Sequence, residues 1–220
     1  MNNIEAVIFD LDGVIVDTAI FHYQAWKRLA NEMGFDLTIH QNEHLKGISR
    51  FESLDIVLEI GKINHLTKKE KEVLATRKNE WYKENILKMT PNDILPGVKM
   101  FLQKLKSANY KIAIGSSSKN AGIILERIGY QNYFDAVVDG NKIAFSKPDP
   151  EVFMKAANEL KVNPRNCVVF EDAAAGIEAA HNAGMKAIGV GEHDVLCKAD
   201  AIISDFKNVD ISVFNKLIKY

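Results

Sequence analysis

Four short stretches of this 220-residue chain carry side chains whose types and spacing suit chemistry on phosphate. The first is an apolar run over residues 6–10 that breaks into Asp10, Leu11, Asp12 and Gly13 and continues to Asp17-Thr18. A buried strand does not ordinarily end in two carboxylates, because an unpaired buried charge is costly. At the C-terminal end of a strand in an α/β pattern, such a pair points to a metal or phosphate site. The second stretch, Gly115-Ser116-Ser117-Ser118-Lys119-Asn120, is a hydroxyl-rich turn that offers hydroxyls and the first N–H groups of a helix to an anion. The third, Ser146-Lys147-Pro148-Asp149-Pro150, fixes one lysine in a proline-bounded segment, and Pro148 biases Lys147 away from helix geometry. The fourth, Glu171-Asp172, is another acidic pair after an apolar run. Oxygen-only donors suit Mg2+, which takes one or two carboxylates and keeps positions for water and phosphate. A lysine beside them offsets the repulsion between a carboxylate and a phosphate. Together these parts make a phosphoryl-transfer site with a carboxylate nucleophile.

Such residues must be brought together by their elements. Apolar runs at 6–10, 111–116, 136–138, 167–171 and 187–190 read as buried parallel strands, with a weaker one at 201–203. Helical patterns lie at 98–108, 121–129, 150–161 and 176–183, with a last helix at 211–219. This alternation predicts an α/β fold, a doubly wound parallel sheet of Rossmann-like type, whose strand ends converge on one crevice. Asp149 reads as an N-cap with Pro150 at the first helical position, and Gly129 and Gly184 as helix-ending glycines.

Residues 18–90 break the alternation: they show helical periodicity and no strand pattern. Phe21, Ala25, Leu29 and Met33 recur at helical spacing, as do Leu54, Val57 and Leu58. Thr67-Lys68-Lys69-Glu70 is a capping box that opens a charged helix through Trp81, with 68–72 on its solvated face. The expected organisation is a catalytic core of residues 1–17 and 91–220 with a helical cap, 18–90, hinged near 17–19 and 90–96.

The totals exclude several classes. Twenty-eight basic and 29 acidic residues give a net charge of −1, so there is no nucleic-acid footprint. Cys167 and Cys197 are too few for a disulfide framework and lack metal-ligand spacing; Cys167 reads as a buried thiol. No apolar stretch reaches the ~18–20 residues of a membrane span. No basic segment precedes an apolar one at the N-terminus, so a cytoplasmic location is expected. His193-Asp194 looks like a metal pair but has no second histidine cluster to complete it.

In their order, the four motifs resemble those of the haloacid dehalogenase superfamily, and the insert sits where one branch of it carries a small helical cap. The resemblance implies that Asp10 is the nucleophile and Asp12 the general acid/base, that Ser116 binds the phosphoryl group, and that Lys147 steadies the nucleophile. It also implies one Mg2+ held by Asp10, the main-chain carbonyl of Asp12, Glu171 and Asp172. Four further segments resemble the β-phosphoglucomutases of that superfamily. These are Asp17-Thr18-Ala19-x-x-His22-x-x-x-Trp26, Leu45-Lys46-Gly47-Ile48-Ser49-Arg50, Arg77-Lys78-Asn79 and Ser118-Lys119-Asn120.

That closer resemblance implies interconversion of β-D-glucose 1-phosphate and D-glucose 6-phosphate through an aspartyl-phosphate and a β-glucose 1,6-bisphosphate intermediate. Arg50, with Lys119 and Asn120, would hold the distal phosphate, and Gly47 would let backbone approach the sugar. Trp26, Ser49, Lys78, Ser117 and Ser118 would complete the substrate site. Thr18 and His22 would belong to the hinge, with His22 holding Asp12 out until the cap closes. A sugar-phosphate phosphatase on the same scaffold is the first alternative and a non-catalytic sugar-phosphate-binding regulator the second. The second is disfavoured because a binder needs no nucleophile and acid together. The turn here is Gly115-Ser116-Ser117-Ser118, where the family usually intersperses alanines; the exchange keeps the backbone donors. A monomer acting on a small phosphorylated sugar is the simplest expectation.

Overall fold

In the computed structural model, residues 4–45 and 48–217 are described. The strands are β1 Ala6–Phe9, β2 Lys111–Gly115, β3 Ala136–Val138, β4 Cys167–Glu171, β5 Lys186–Val190 and β6 Ala201–Ile203. They form one parallel sheet in the order β3-β2-β1-β4-β5-β6. The expected doubly wound architecture is therefore present, and the direction of winding reverses at β1, with β2 on one side and β4 on the other. Open parallel sheets bind ligands at such a reversal.

Alternation along the strands explains the two layers. Val7, Phe9, Ile112, Ile114, Val168 and Phe170 face one core, closed by helix α5, Val98–Ser107, through Phe101, Leu102 and Leu105. Phe9 stacks on Phe170 at 5.2 Å, and Phe101 and Phe206 pack edge-on or tilted around them. Ala6, Ile8, Ala113, Val169 and Ala187 face the other way. Helices α7, Glu151–Leu160, and α8, Ala174–Asn182, lie on this face, and its small side chains let them approach closely. Helix α6, Ala121–Arg127, follows β2, and α9, His193–Leu196, follows β5.

Between β1 and β2 the chain forms α1 Ala19–Glu32, α2 Ile39–Glu43, α3 Arg50–Ile60 and α4 Lys68–Ile86 before reaching α5. Helices α1, α3 and α4 pack on a core of their own, built from Trp26, Leu29, Ala30, Leu54, Val57, Leu58 and Ala75, and Leu37 and Leu45 on either side of α2 join it. The Thr67–Glu70 capping box is formed, with Thr67 N donating to Glu70 Oε2 at 2.7 Å. Helix α4 continues past Trp81 because Tyr82 and Ile86 extend its buried face.

Some local expectations are corrected. Pro150, not Asp149, holds the N-cap position of α7; Asp149 Oδ1 accepts from Glu151 N, 2.9 Å away, as an Asx turn one residue early. Helix α8 begins at Ala174, so Gly176 lies inside it. A Cβ there would stand 2.0 Å from Glu171 Cδ, so the glycine makes room for the Glu171 carboxylate. The C-terminal element is a 3-10 helix, Ile211–Leu217; Lys219, where the α-helix was expected to end, lies outside the described residues. Cys167 is buried, as expected, and Cys197 is exposed.

Candidate active site

Strand register sets the floor of the site. Phe9 pairs with Ile114 on one side and Phe170 on the other, so Asp10, Gly115 and Glu171 emerge at the same level. Asp10 N still donates to Phe170 O at 2.9 Å, which ties the loop after β1 to β4. Lys147, whose peptide bond to Pro148 is cis, reaches in from the loop after β3. Its Nζ lies 2.5 Å from Asp10 Oδ1 and 2.9 Å from Glu171 Oε2, with all three side chains almost wholly buried. Burial opposes the charge on Lys147, yet the two carboxylates, Asp10 foremost, hold its pKa above the usual lysine value. Burial pushes Glu171 the other way, above the usual carboxylate range, against the pull of Lys147.

Carboxylate oxygens of Asp10, Glu171 and Asp172 lie within 4.8 Å of one another. The cradle is shaped for a ligand: Gly13, at φ +86°, has no Cβ, and one built there would stand 2.1 Å from Asp172 Oδ2. The donor set is all oxygen and borders a cavity through Asp10 and Asp172, which fits Mg2+ and not a softer metal. Among the described residues the Asp12 carboxylate is not part of this group.

Asp12 is instead held by Thr18, whose hydroxyl donates to Asp12 Oδ1. Burial and the nearby charge of Asp10 raise the Asp12 pKa to about 6, against the smaller opposite pull of Thr18. His22, expected to hold Asp12 out until the cap closes, does not bond it in this conformation. Its Nδ1 lies 2.9 Å from Lys78 Nζ instead, and its ring sits on Tyr82 with centroids 4.0 Å apart. Thr18, the N-cap of α1, and His22 share one face of the helix, but His22 stands a full turn further from the β1 loop, where it meets Lys78 and Tyr82 of α4. Burial, then the charge of Lys78, drives His22 well below the usual histidine value and keeps it neutral. Lys78 is itself buried, 4.4 Å from the Trp26 ring centroid, and burial lowers its pKa strongly. The charge of Asp12 pulls the other way, and the faces of Trp26 and Tyr82 lie near the same nitrogen.

A cavity of about 310 Å³ opens above Asp10. Its walls include Asp12, Thr18, His22, Trp26, Ser49, Arg50, Lys78, Ser116, Ser117, Ser118, Lys119, Asn120 and Asp172. The serine turn is ordered by its own hydroxyls: Ser118 N donates to Ser116 Oγ at 3.1 Å and Asn120 N to Ser118 Oγ at 3.2 Å. A hydroxyl that accepts in this way still has its proton to give. Ser49 caps α3, accepting from Glu52 N at 3.3 Å, and so places Arg50 at the first turn facing the cavity. Burial lowers the Arg50 pKa, but from so high a value that the guanidinium stays charged. Gly47 lies outside the described residues.

The predicted site residues that are described thus meet in one place, although Lys147 and Glu171 lie beneath the cavity rather than on its wall. Other lining residues carried no signal of their own in the sequence. Asn42 and Ser53 are polar positions on α2 and α3 that become buried beside the cavity. Phe51 and Phe145 remain exposed at its rim, and each reads locally as an ordinary helix or loop residue. Asn79 was visible as the neighbour of Lys78; that its side chain meets Asn120 across the cleft, 2.9 Å away, was not.

Comparison with known proteins agrees with this geometry. The family model described as haloacid dehalogenase-like hydrolase matches residues 7–190. The β-phosphoglucomutase of Bacillus subtilis is 44% identical over 96% of this chain and 94% of that protein. A phosphorylated carbohydrates phosphatase of Thermotoga maritima is 34% identical over 84% of this chain and 83% of its own length. The crystal structure of a β-phosphoglucomutase from Clostridium difficile superposes with a TM-score of 0.92 at 44% identity, covering 97% of this chain and 96% of that one. Sheet order, acidic strand ends and these likenesses agree: the chain belongs to the haloacid dehalogenase-like hydrolase family.

Proposed function

We propose that this chain is a Mg2+-dependent β-phosphoglucomutase that interconverts β-D-glucose 1-phosphate and D-glucose 6-phosphate. The observation that carries the reading is the division of labour between two carboxylates two residues apart. Asp10 is paired with Lys147 on the sheet floor, while Asp12 is paired with Thr18 and held near pKa 6. One is ion-paired with a buried ammonium at the floor of the cavity and placed to attack phosphorus; the other is tuned to give and take a proton near neutrality. The near-full-length likeness to two β-phosphoglucomutases supports the choice of sugar.

In this mechanism Asp10, already phosphorylated, gives its phosphoryl group to a sugar hydroxyl. Asp12 takes the hydroxyl proton, and the β-glucose 1,6-bisphosphate so formed turns end for end. Asp10 then attacks the other phosphate, and Asp12 returns the proton to the departing oxygen. Asp10, Glu171, Asp172 and the carbonyl of Asp12 would hold Mg2+, which when bound withdraws charge from the transferring phosphoryl group. Lys147 neutralises the nucleophile's surroundings, and Ser116 donates to phosphoryl oxygens. Arg50, Lys119 and Asn120 hold the second phosphate through charge-assisted bonds. Residues 18–90 act as a cap that swings on segments near 17–19 and 90–96 and excludes water when shut. A cytoplasmic monomer completes the reading; no helix among the described residues is long and apolar enough to cross a membrane.

A coupled assay for glucose 6-phosphate, started with β-glucose 1-phosphate, Mg2+ and a trace of bisphosphate primer, tests this. Stoichiometric glucose 6-phosphate is expected. Release of inorganic phosphate without glucose 6-phosphate would assign the chain to sugar-phosphate hydrolysis instead.

A further inference from the structure

Helices α1–α4 and the sheet-bearing body face each other across the cavity, and one polar contact joins their walls directly. Asn120 Nδ2 donates to Asn79 Oδ1 at 2.9 Å, and both side chains are about 5% exposed. Two features mark this bond as more than packing. Asn120 occupies the N-cap position of α6, where asparagine ordinarily bonds its own helix, yet its side chain makes no capping bond. The task of ordering that turn has passed to Ser118, whose Oγ accepts from Asn120 N. The amide of Asn120 is thereby released to cross the cleft.

Both asparagines also border the cavity. Each carboxamide has two N–H groups and one carbonyl. One N–H of Asn120 is committed to Asn79 Oδ1, which fixes the plane of the Asn120 amide and leaves its second N–H for another acceptor. An anion that accepts from the second N–H holds the same amide in the same plane, so each bond lowers the ordering cost of the other.

We infer that Asn79 is a positioning residue that links occupancy of the distal phosphate site to closure of the α1–α4 unit. The inference rests on the placing of a distal phosphate at Arg50, Lys119 and Asn120. Asn79 touches no reacting atom; it sets the orientation of Asn120 and holds the two walls in register. A substrate with an anionic group at each end benefits from the link. A small monophosphate that reaches only Asp10 does not.

The test compares Asn79→Ala and the near-isosteric Asn79→Leu with wild type on two substrates, β-glucose 1-phosphate and p-nitrophenyl phosphate. Losing a buried hydrogen bond and stranding its donor should raise KM for the sugar phosphate about 10-fold with little change in kcat. On p-nitrophenyl phosphate the change should stay within about threefold, while the melting temperature falls by only about 2–10 °C and the protein stays folded at the assay temperature. Small-angle scattering should show that saturating glucose 6-phosphate compacts the wild-type protein but compacts the variants less. An unchanged KM for the sugar phosphate in both variants would overturn the proposal. So would an equal loss on both substrates, which would make Asn79 merely structural. If wild type releases phosphate and makes no glucose 6-phosphate, the mutase reading fails, while the KM comparison on phosphate release still judges the link.

Discussion

Lys147 Nζ lies 2.5 Å from Asp10 Oδ1, and the same ammonium lies 2.9 Å from Glu171 Oε2. One positive charge therefore serves two buried carboxylates that belong to adjacent strands. Without the lysine, both acids face each other in a desolvated site, where breaking a buried pair costs about 3–5 kcal/mol. Lys147→Met should lose that order of stability in urea unfolding without metal, and should recover part of it in Mg2+. Turnover should fall about 10³-fold, the scale of losing one preorganised electrostatic partner. A variant as stable and active as wild type would show that Lys147 does not govern the acids.

Asp12 contributes stability with the opposite sign. Its folded pKa of about 6 lies above the ordinary value of 3.8, because burial and Asp10 disfavour its charge. The folded protein therefore binds this proton more tightly than the unfolded chain. That contribution is fully present below the unfolded pKa and is lost as pH rises through about 6. Asp12→Asn removes the cost of the charge, so it should stabilise the metal-free protein at pH 8 and have little effect at pH 4. The full shift corresponds to about 3 kcal/mol, and water in the cavity brings the expected gain to roughly 1–2 kcal/mol. The same change should remove proton transfer and lower turnover by about 10²–10⁴-fold. Equal stability gains at both pH values would refute this account.

The fold was legible because parallel strands buried on both faces must be continuously apolar. Runs such as Val7-Ile8-Phe9 and Val168-Val169-Phe170 stood out, and so did the charges that end them. Asp10, Glu171 and the serine turn were legible for the same reason, since register alone levels the ends of β1, β2 and β4. What escaped depended on rotamer and on contacts between distant segments. His22 and Thr18 lie four residues apart near the start of one helix, and sequence does not say which of them turns to Asp12. Asn79 and Asn120 are separated by 41 positions, and neither carries a local mark of pairing. The start of α7 was misplaced because Asp149 makes the same bond in an Asx turn as it would in a cap.

The acidic cluster yields a prediction independent of catalysis. If Asp10, Glu171 and Asp172 hold Mg2+ in the folded state alone, the ion must stabilise the protein by mass action. At 100 times its dissociation constant the gain is about 2.7 kcal/mol, and a chelator should reverse it. Thermal unfolding at increasing Mg2+ should show a rising midpoint in wild type, and Asp172→Ala should flatten that rise. An equal rise in both proteins would place the ion elsewhere.

Arg50 offers the sharpest separation between mutase and simple phosphatase. It opens α3, faces the cavity and keeps its charge although burial lowers its pKa. Hydrolysis of a small ester needs groups near Asp10 alone, whereas a bisphosphate needs a cation at its far end. A hydrogen bond to a charged group contributes about 1.5–3 kcal/mol, so Arg50→Ala should raise KM for β-glucose 1-phosphate roughly 10- to 150-fold. Hydrolysis of p-nitrophenyl phosphate should change less than about threefold. Arg50→Lys should restore part of the loss, because a lysine supplies a point charge without the bidentate fork that matches phosphate. Steady-state kinetics on both substrates decide the matter: a parallel loss would mean that Arg50 shapes the whole cleft, and no loss would leave the distal phosphate to Lys119 and Asn120.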